Sequence, residues 1–131
     1  MIQRIQTLYI FTAAVLSSLA AFFLPMYSIG EDLMFATDSK WIWFTFGWSM
    51  TIFSAAILLY QKRSFQLLLV RLGMLCSLIV LGLLINEISA IENAAATYGS
   101  VVPMLNVVFA FLASRGIQKD EAKIKGQDRL R

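Results

Sequence analysis

Four long apolar runs, separated by short polar segments, set the pattern of this 131-residue chain. They cover approximately residues 7–24, 41–60, 65–85 and 101–115. A helix of about 20 apolar residues crosses a hydrocarbon core of roughly 30 Å, and the first three runs are each long enough to do so. The fourth is interrupted by Asn106, but it reaches a similar length if its helix continues through Ser114 and Gly116. The pattern therefore predicts four membrane-spanning helices.

Composition agrees with this interpretation. Hydrophobic residues make up 59% and charged residues 15% of the chain, whereas a soluble domain has about 45–50% and about 25%. We expect a single membrane domain over residues 1–131. A cleavable signal peptide is the alternative for the first run, because Ser18-Leu19-Ala20 resembles a small-x-small cleavage site. The run continues through Phe22-Phe23-Leu24 without a polar break, which favours a span.

The first two connections are short. Pro25 closes the first span, and an acidic loop follows from Met26 to Lys40. The second connection, residues 61–64, contains the basic pair Lys62-Arg63. It ends with Ser64, which is placed to cap the third helix because a serine hydroxyl can accept a hydrogen bond from a free backbone N–H.

The third connection is also polar and acidic. Residues 94–96 are predicted to be weakly helical, and residues 98–100 form a turn before the last helix. Pro103 suits the first turn of that helix, where no intrahelical N–H is needed.

Aromatic side chains mark the two predicted membrane boundaries. Tyrosine and tryptophan favour the interface because each combines an apolar ring with a polar group that requires water. We assign Trp41, Trp43 and Tyr27 to one boundary and Tyr60 and Tyr9 to the other.

Basic residues are concentrated on one side of the predicted membrane. Four antiparallel spans place ten of them together: Arg4, Lys62, Arg63, Arg71, Arg115, Lys119, Lys123, Lys125, Arg129 and Arg131. The other side has only Lys40, together with five acidic residues. Lysine and arginine in short loops are retained in the cytoplasm. We therefore predict an all-α, four-helix, up-and-down transmembrane bundle with both termini in the cytoplasm and a basic, helical cytoplasmic tail over residues 116–131.

Small residues recur four apart in the first two runs. The two stripes are Ala13, Ser17 and Ala21 in the first run, and Gly47, Thr51 and Ala55 in the second. Small side chains let membrane helices approach closely, so we expect the first helical hairpin to pack through these stripes. Asn106 is a further packing candidate, because its amide can form a hydrogen bond between helices.

Arg71 lies about two turns inside the third run, or roughly 10 Å from its start. Two interpretations remain open. The guanidinium can extend back to the headgroups along the side chain's own length, or it can pair with a carboxylate or phosphate of a partner. Arg71 is therefore a candidate lipid or partner contact.

The search for catalytic and cofactor chemistry is negative. The chain has no histidine, and its single cysteine, Cys76, lies in the middle of a span. Cys/His metal sites and a Cys/His nucleophile are thereby excluded. No glycine-rich phosphate loop is present. We expect no cofactor and no enzymatic activity.

The tail mixes acidic with basic residues. Its candidate contact residues are Lys119, Asp120, Glu121, Asp128, Arg129 and Arg131. A mixed order of charges suggests a surface that is recognised by a cytoplasmic protein through charge-assisted hydrogen bonds, whereas attraction to anionic lipid does not depend on order. The tail lacks the interleaved aromatic residues that stack on bases, so direct nucleic-acid binding is not expected.

Both ends of the chain resemble a known family. The opening residues 1–9 (MIQRIQTLY), Pro25, the closing Lys119-Asp120-Glu121 and residues 128–131 (DRLR) are similar to small four-helix membrane proteins of Bacteroidota, catalogued as domain of unknown function four-two-nine-three. The resemblance implies a bacterial inner-membrane location and a functional tail. It implies no activity, because the family has none assigned.

Two functional hypotheses follow. The first is a non-catalytic accessory or scaffold subunit, which contacts membrane lipids, belongs to a larger membrane complex and docks a cytoplasmic protein through its tail. The alternative is a small transporter or membrane enzyme that works as a homo-oligomer, with polar residues such as Arg71 and Asn106 facing a shared interior.

Overall fold

A computed structural model describes residues 2–129 and the side chains of residues 5–127. Within this range the chain forms four α-helices, three short strands and two 3₁₀ turns. The helices are α1 (Ile2–Phe22), α2 (Lys40–Leu58), α3 (Arg63–Ala90) and α4 (Val102–Arg129), and the strands are β1 (Pro25–Ile29), β2 (Asp32–Phe35) and β3 (Ala94–Ala96). The 3₁₀ turns, Ala36–Asp38 and Tyr98–Val101, lead into α2 and α4.

The four helices form an up-and-down bundle. Both α1 and α3 pack against α2 and α4, so each helix has two principal neighbours. One end of the bundle carries the start of α1, the α2–α3 turn and the last part of α4, and we call it the terminal end. The opposite end carries the strands, and we call it the sheet end.

Large apolar side chains cover the outside of the bundle. Leu8, Trp48 and Leu68 are each more than half exposed, whereas the interior contains many alanines and serines. Each of the four helices contains a stretch that is long and apolar enough to cross a membrane. An apolar exterior suits a lipid environment because lipid tails solvate leucine and phenylalanine, and the small residues among those of the interior allow the helices to pack closely. The fold and hydropathy are those of a multi-pass membrane protein.

A three-stranded antiparallel sheet joins the two connections at the sheet end, in the order β2-β1-β3. Tyr27 of the central strand pairs with Met34 on one side and with Ala96 on the other. Gly30 supplies the positive φ of 63° in the β1–β2 turn, which glycine adopts without steric cost. The all-α prediction was incomplete, because it contained no sheet.

Two predictions for the sheet end are wrong. Residues 94–96 form β3 instead of a weak helix, because their backbone groups bond to β1. Tyr27 was assigned to the interface but is only 3% exposed, since it lies in the core beneath the sheet.

Predictions for the helix ends had mixed outcomes. Helix α4 does continue through Ser114 and Gly116, and Pro103 does lie in its first turn. Ser64 does not cap α3, because the helix begins at Arg63 and its N-cap position, Lys62, has no side-chain capping hydrogen bond. The Ser64 hydroxyl instead donates to Glu121 Oε1 of α4 at 3.4 Å.

Candidate functional site

Two apolar core clusters fill the bundle, one in each half. The sheet-end cluster includes Met26, Phe46 and Leu84, and the terminal-end cluster includes Ile10 and Phe53. Between them lies a layer of four buried polar residues, one from each helix: Ser17, Ser49, Ser77 and Asn106. We call these four residues the polar layer.

Contacts between antiparallel helices show that these four residues lie at the same height in the bundle. Asn106 Nδ2 donates to Ser17 Oγ at 2.8 Å and joins α4 to α1. The Phe53 ring of α2 lies directly against Gly73 of α3. One turn further toward the sheet end, those two helices carry Ser49 and Ser77, so both pairs lie between the two clusters.

The polar layer contains two unpaired oxygens. Ser17 and Ser77 donate to carbonyl oxygens one turn earlier in their own helices. Ser49 Oγ and Asn106 Oδ1 are buried and have no hydrogen-bond partner. None of the four side chains titrates near neutral pH. The layer can therefore fix helix register and accept hydrogen bonds, but it offers no acid, base or charged group for catalysis.

A second polar cluster closes the terminal end. Gln6 Nε2 of α1 donates to Asp120 Oδ2 of α4 at 2.9 Å, and both residues are at least nine-tenths buried. Gly116 makes this contact possible, because a Cβ atom there would lie 2.8 Å from Gln6 Cγ. Together with the Ser64–Glu121 contact, this hydrogen bond attaches α4 to both α1 and α3.

Arg63 lies beside this cluster. Its Nη1 atom is buried without a hydrogen-bond partner. With Gln6, Tyr60 and Gln66 it lines a cleft of about 20 Å³, which is room for a single water molecule.

The tail candidates separate into anchored and projecting residues. Asp120 and Glu121 face the bundle and hold α4 in place, whereas Lys119 is exposed. Beyond Glu121, α4 continues past the first turn of α3, and every side chain from Ala122 to Gln127 is exposed. We call residues 122–129 the arm. Arg131 lies outside the described residues, as do the side chains of Asp128 and Arg129.

The two small-residue stripes have different orientations. Ala13, Ser17 and Ala21 are buried within the bundle. Gly47 and Thr51 are exposed and Ala55 is half-buried, so the first hairpin does not pack through the α2 stripe. Helix α2 turns another face inward, which is lined by Ile42, Phe46, Ser49, Phe53 and Ala56.

The two remaining polar candidates lie apart. Arg71 is exposed on the outer surface of α3, eight residues from the start of that helix. Asn106 is 1% exposed and lies in the interior.

Sequence reasoning overlooked the Gln6–Asp120 hydrogen bond, whose partners are 114 residues apart. The described residues contain no group of three or more His, Cys, Asp or Glu side chains that could hold a metal ion.

Comparison with known proteins identifies the family of this chain. A family model described as "Domain of unknown function (DUF4293)" matches residues 2–130, and the chain therefore belongs to this family. No curated protein and no solved structure matches the chain.

Proposed function

We propose that this DUF4293 protein is a non-catalytic accessory or scaffold subunit of a bacterial inner-membrane complex, and that its arm docks a cytoplasmic protein. The observation that supports this proposal most directly is the attachment of the arm. Helix α4 is unbroken from the interior of the bundle to Arg129, and the Gln6–Asp120 hydrogen bond fixes it where it leaves the bundle. A docking element with a fixed direction loses less entropy on binding than a flexible tail.

The distribution of charge supports a cytoplasmic location for the terminal end. Among the described side chains, that end carries Lys62, Arg63, Lys119, Lys123 and Lys125. The sheet end carries the single cation Lys40, at the start of α2, together with Glu31, Asp32, Asp38 and Glu92 in its two connections. Short basic segments are retained in the cytoplasm. A periplasmic signal from a reporter fused after Arg131 would contradict this orientation.

The surface of the arm indicates the chemistry of its partner. Lys123 and Lys125 are exposed, and Ile124 between them is 42% exposed. The arm of eight residues extends about 12 Å at 1.5 Å per residue. An acidic protein surface with a small apolar contact for Ile124 complements it.

The test of the arm is a scrambled variant. Residues 122–131 are reordered at constant composition, while Asp120 and Glu121 stay in place because they hold α4 against the bundle. Attraction to anionic lipid depends on composition and contributes about 1 kcal/mol per basic residue regardless of order. We expect the scrambled protein to insert normally, to lose its co-purifying partner and to fail to complement a deletion.

The matched control is Lys123→Arg combined with Lys125→Arg, which keeps both the charge and the order of the arm. This variant should retain the partner and complement the deletion. Full complementation by the scrambled protein, with the same co-purifying partner, would contradict the docking proposal.

One observation favours the alternative function. The buried, unpaired oxygens of Ser49 and Asn106 are typical of a site that a polar solute or water can occupy, so a small oligomeric transporter is a second candidate. Native mass spectrometry from mild detergent discriminates the two. A stoichiometric foreign subunit supports the accessory role, whereas a homo-oligomer alone supports the transporter.

A further inference from the structure

A groove with two arginines lies on the outer surface between α3 and α4. Its volume is about 380 Å³, and Arg71 and Arg115 both line it. Met74, Leu75 and Phe111 supply an apolar wall. No carboxylate is among the described residues that line this groove. The two outer grooves lined by residues of α1 and α2 have no charged side chain among their described lining residues, so the combination of two cations with an apolar wall distinguishes this groove from them.

The two arginines lie at the same height in the bundle. The Ser64–Glu121 contact fixes the register between the antiparallel helices α3 and α4. Seven residues further into the bundle, α3 reaches Arg71 and α4 reaches Ser114, the neighbour of Arg115. Both guanidinium-bearing residues therefore begin about 10 Å inside the terminal end.

This height is within the apolar belt of the molecule. Phe65 and Leu68 of α3 lie closer to the terminal end than Arg71, and they are 56% and 53% exposed. Ile5 of α1 is exposed near the same end. Exposed phenylalanine and leucine side chains favour the hydrocarbon layer over water, and in that layer a cation without an anionic partner is costly.

The direction of each helix decides where its arginine can reach. Side chains on a helix tilt toward its N-terminus. Helix α3 begins at the terminal end, so Arg71 tilts toward the headgroups there. Helix α4 runs the opposite way, so Arg115 tilts toward the bilayer centre, and its Cζ lies 5.8 Å from the centroid of the Phe111 ring one turn deeper. Extension toward the nearest headgroups accounts for Arg71 but not for Arg115.

We propose that this groove binds one anionic phospholipid from the leaflet at the terminal end. Both arginines line the groove, and on binding Arg115 leaves the Phe111 ring and turns toward the terminal end, so that both guanidinium groups can donate paired N–H bonds to oxygens of one phosphate. One acyl chain follows Met74, Leu75 and Phe111, and the exposed amide of Gln118 is available to the polar headgroup. Binding supplies an anionic partner to two cations that have no carboxylate among the described residues lining the groove.

The experiment measures lipid binding to the purified full-length protein by native mass spectrometry and by thermal unfolding in detergent. Phosphatidylglycerol is the anionic probe, phosphatidylcholine the zwitterionic comparison and inorganic phosphate the free-ion comparison. The test variant is Arg71→Gln with Arg115→Gln. The control is Lys40→Gln with Lys62→Gln, which removes the same charge outside the groove.

We expect the wild-type protein and the control to retain one phosphatidylglycerol in preference to phosphatidylcholine. The test variant should bind it about 25-fold more weakly, or about fivefold for each arginine, if each contributes the energy typical of a basic residue near an anionic membrane surface. Equal loss in the test and control variants would overturn the proposal, because net charge and not the groove would then decide binding. Displacement of the lipid by millimolar inorganic phosphate would overturn the lipid assignment.

A charge-conserving variant keeps the test decisive if the double glutamine protein does not fold. Arg71→Lys with Arg115→Lys retains both cations but lacks the planar guanidinium fork. Reduced preference for phosphatidylglycerol in this folded variant supports paired guanidinium contacts with the phosphate, and unchanged preference overturns that arrangement of the site. Scrambling residues 122–131 leaves the groove intact and should not alter lipid binding, so this proposal and the arm proposal fail separately.

Discussion

The two ends of the bundle are closed by different kinds of contact. At the sheet end, backbone hydrogen bonds of a three-stranded sheet join the α1–α2 connection to the α3–α4 connection. At the terminal end, side-chain hydrogen bonds join α4 to its two neighbours. Gln6 of α1 bonds to Asp120, and Ser64 of α3 bonds to Glu121. Backbone pairing depends little on side-chain identity, whereas each side-chain contact can be lost by a single substitution.

Among the described residues, the sheet end is held by more hydrogen bonds than the terminal end. The sheet end buries Met26 and Tyr27 in the core, and Thr97 adds a backbone bond to Met26 and a side-chain bond to Pro25. The terminal end leaves Arg63 Nη1 unpaired and allows α4 to project as the arm. We infer that the sheet end fixes the fold, and that the terminal end presents the surfaces available to lipids and partners.

The largest effect is expected from Gly99→Ala at the sheet end. Gly99 lies in the 3₁₀ turn before α4, directly against the backbone of Pro25. A Cβ atom there would overlap the Pro25 carbonyl group and would lie 2.8 Å from Met26 Cε. Backbone cannot move aside as a side chain can, so the variant should lose about 3 kcal/mol of unfolding free energy, at the upper end of overpacking costs. Thermal or denaturant unfolding in detergent measures this loss.

Gly82→Ala is the control for that substitution. Gly82 lies in α3, and nothing is within 4 Å of the position of its Cβ. Alanine is a better helix former than glycine by about 1 kcal/mol, so the control should be neutral or slightly stabilising. Equal stability of the two variants would show that the sheet end is not closely packed around Gly99.

A smaller effect is expected from Asp120→Ala at the terminal end. The substitution leaves the buried Gln6 amide without its acceptor, which costs about 1–3 kcal/mol. It also releases the arm from α1, so amide hydrogen exchange should accelerate from Gly116 to Gln127 but not in the sheet. Asp120→Asn is the matched control, because its side-chain oxygen can still accept from Gln6. Uniform acceleration along the whole chain would contradict a local anchoring role.

The helices were predictable from the sequence because their signal is local. The first three apolar runs are each long enough to identify a helix, and no proline between Asn106 and Arg129 stops the extension of α4. The sheet was not predictable in this way. Strand β3 consists of Ala94, Ala95 and Ala96, which favour a helix by intrinsic propensity, and it forms a strand through backbone bonds to β1, more than 60 residues earlier.

The candidate sites were predictable only where a property depends on one helix alone. The distance of Arg71 from the start of α3 followed from counting residues along one helix. The direction of Arg115 and the inward position of Asp120 depend on which face of α4 meets its neighbours. The face of α2 was assigned wrongly for the same reason: Gly47 is adjacent in sequence to Phe46, yet a rotation of about 100° per residue places one outside and the other in the core.

The smallest expected effect is the change in unfolding free energy at alkaline pH that ionisation of Tyr27 causes. The pKa of Tyr27 is raised above its ordinary value, first by burial, then by the charge of Glu87 and then by that of Asp38. The unfolded chain ionises near the ordinary tyrosine pKa of about 10, whereas the folded protein holds the phenolic proton to higher pH. This contribution to stability is therefore complete below about pH 10 and is lost as the pH rises through the folded-state pKa.

Unfolding free energies of the wild-type protein and Tyr27→Phe, measured from pH 9 upward, should show a shallower alkaline loss in the variant. Glu87→Gln should also reduce the loss, because it removes the second cause of the shift, and identical pH profiles for all three proteins would contradict this account of the Tyr27 environment.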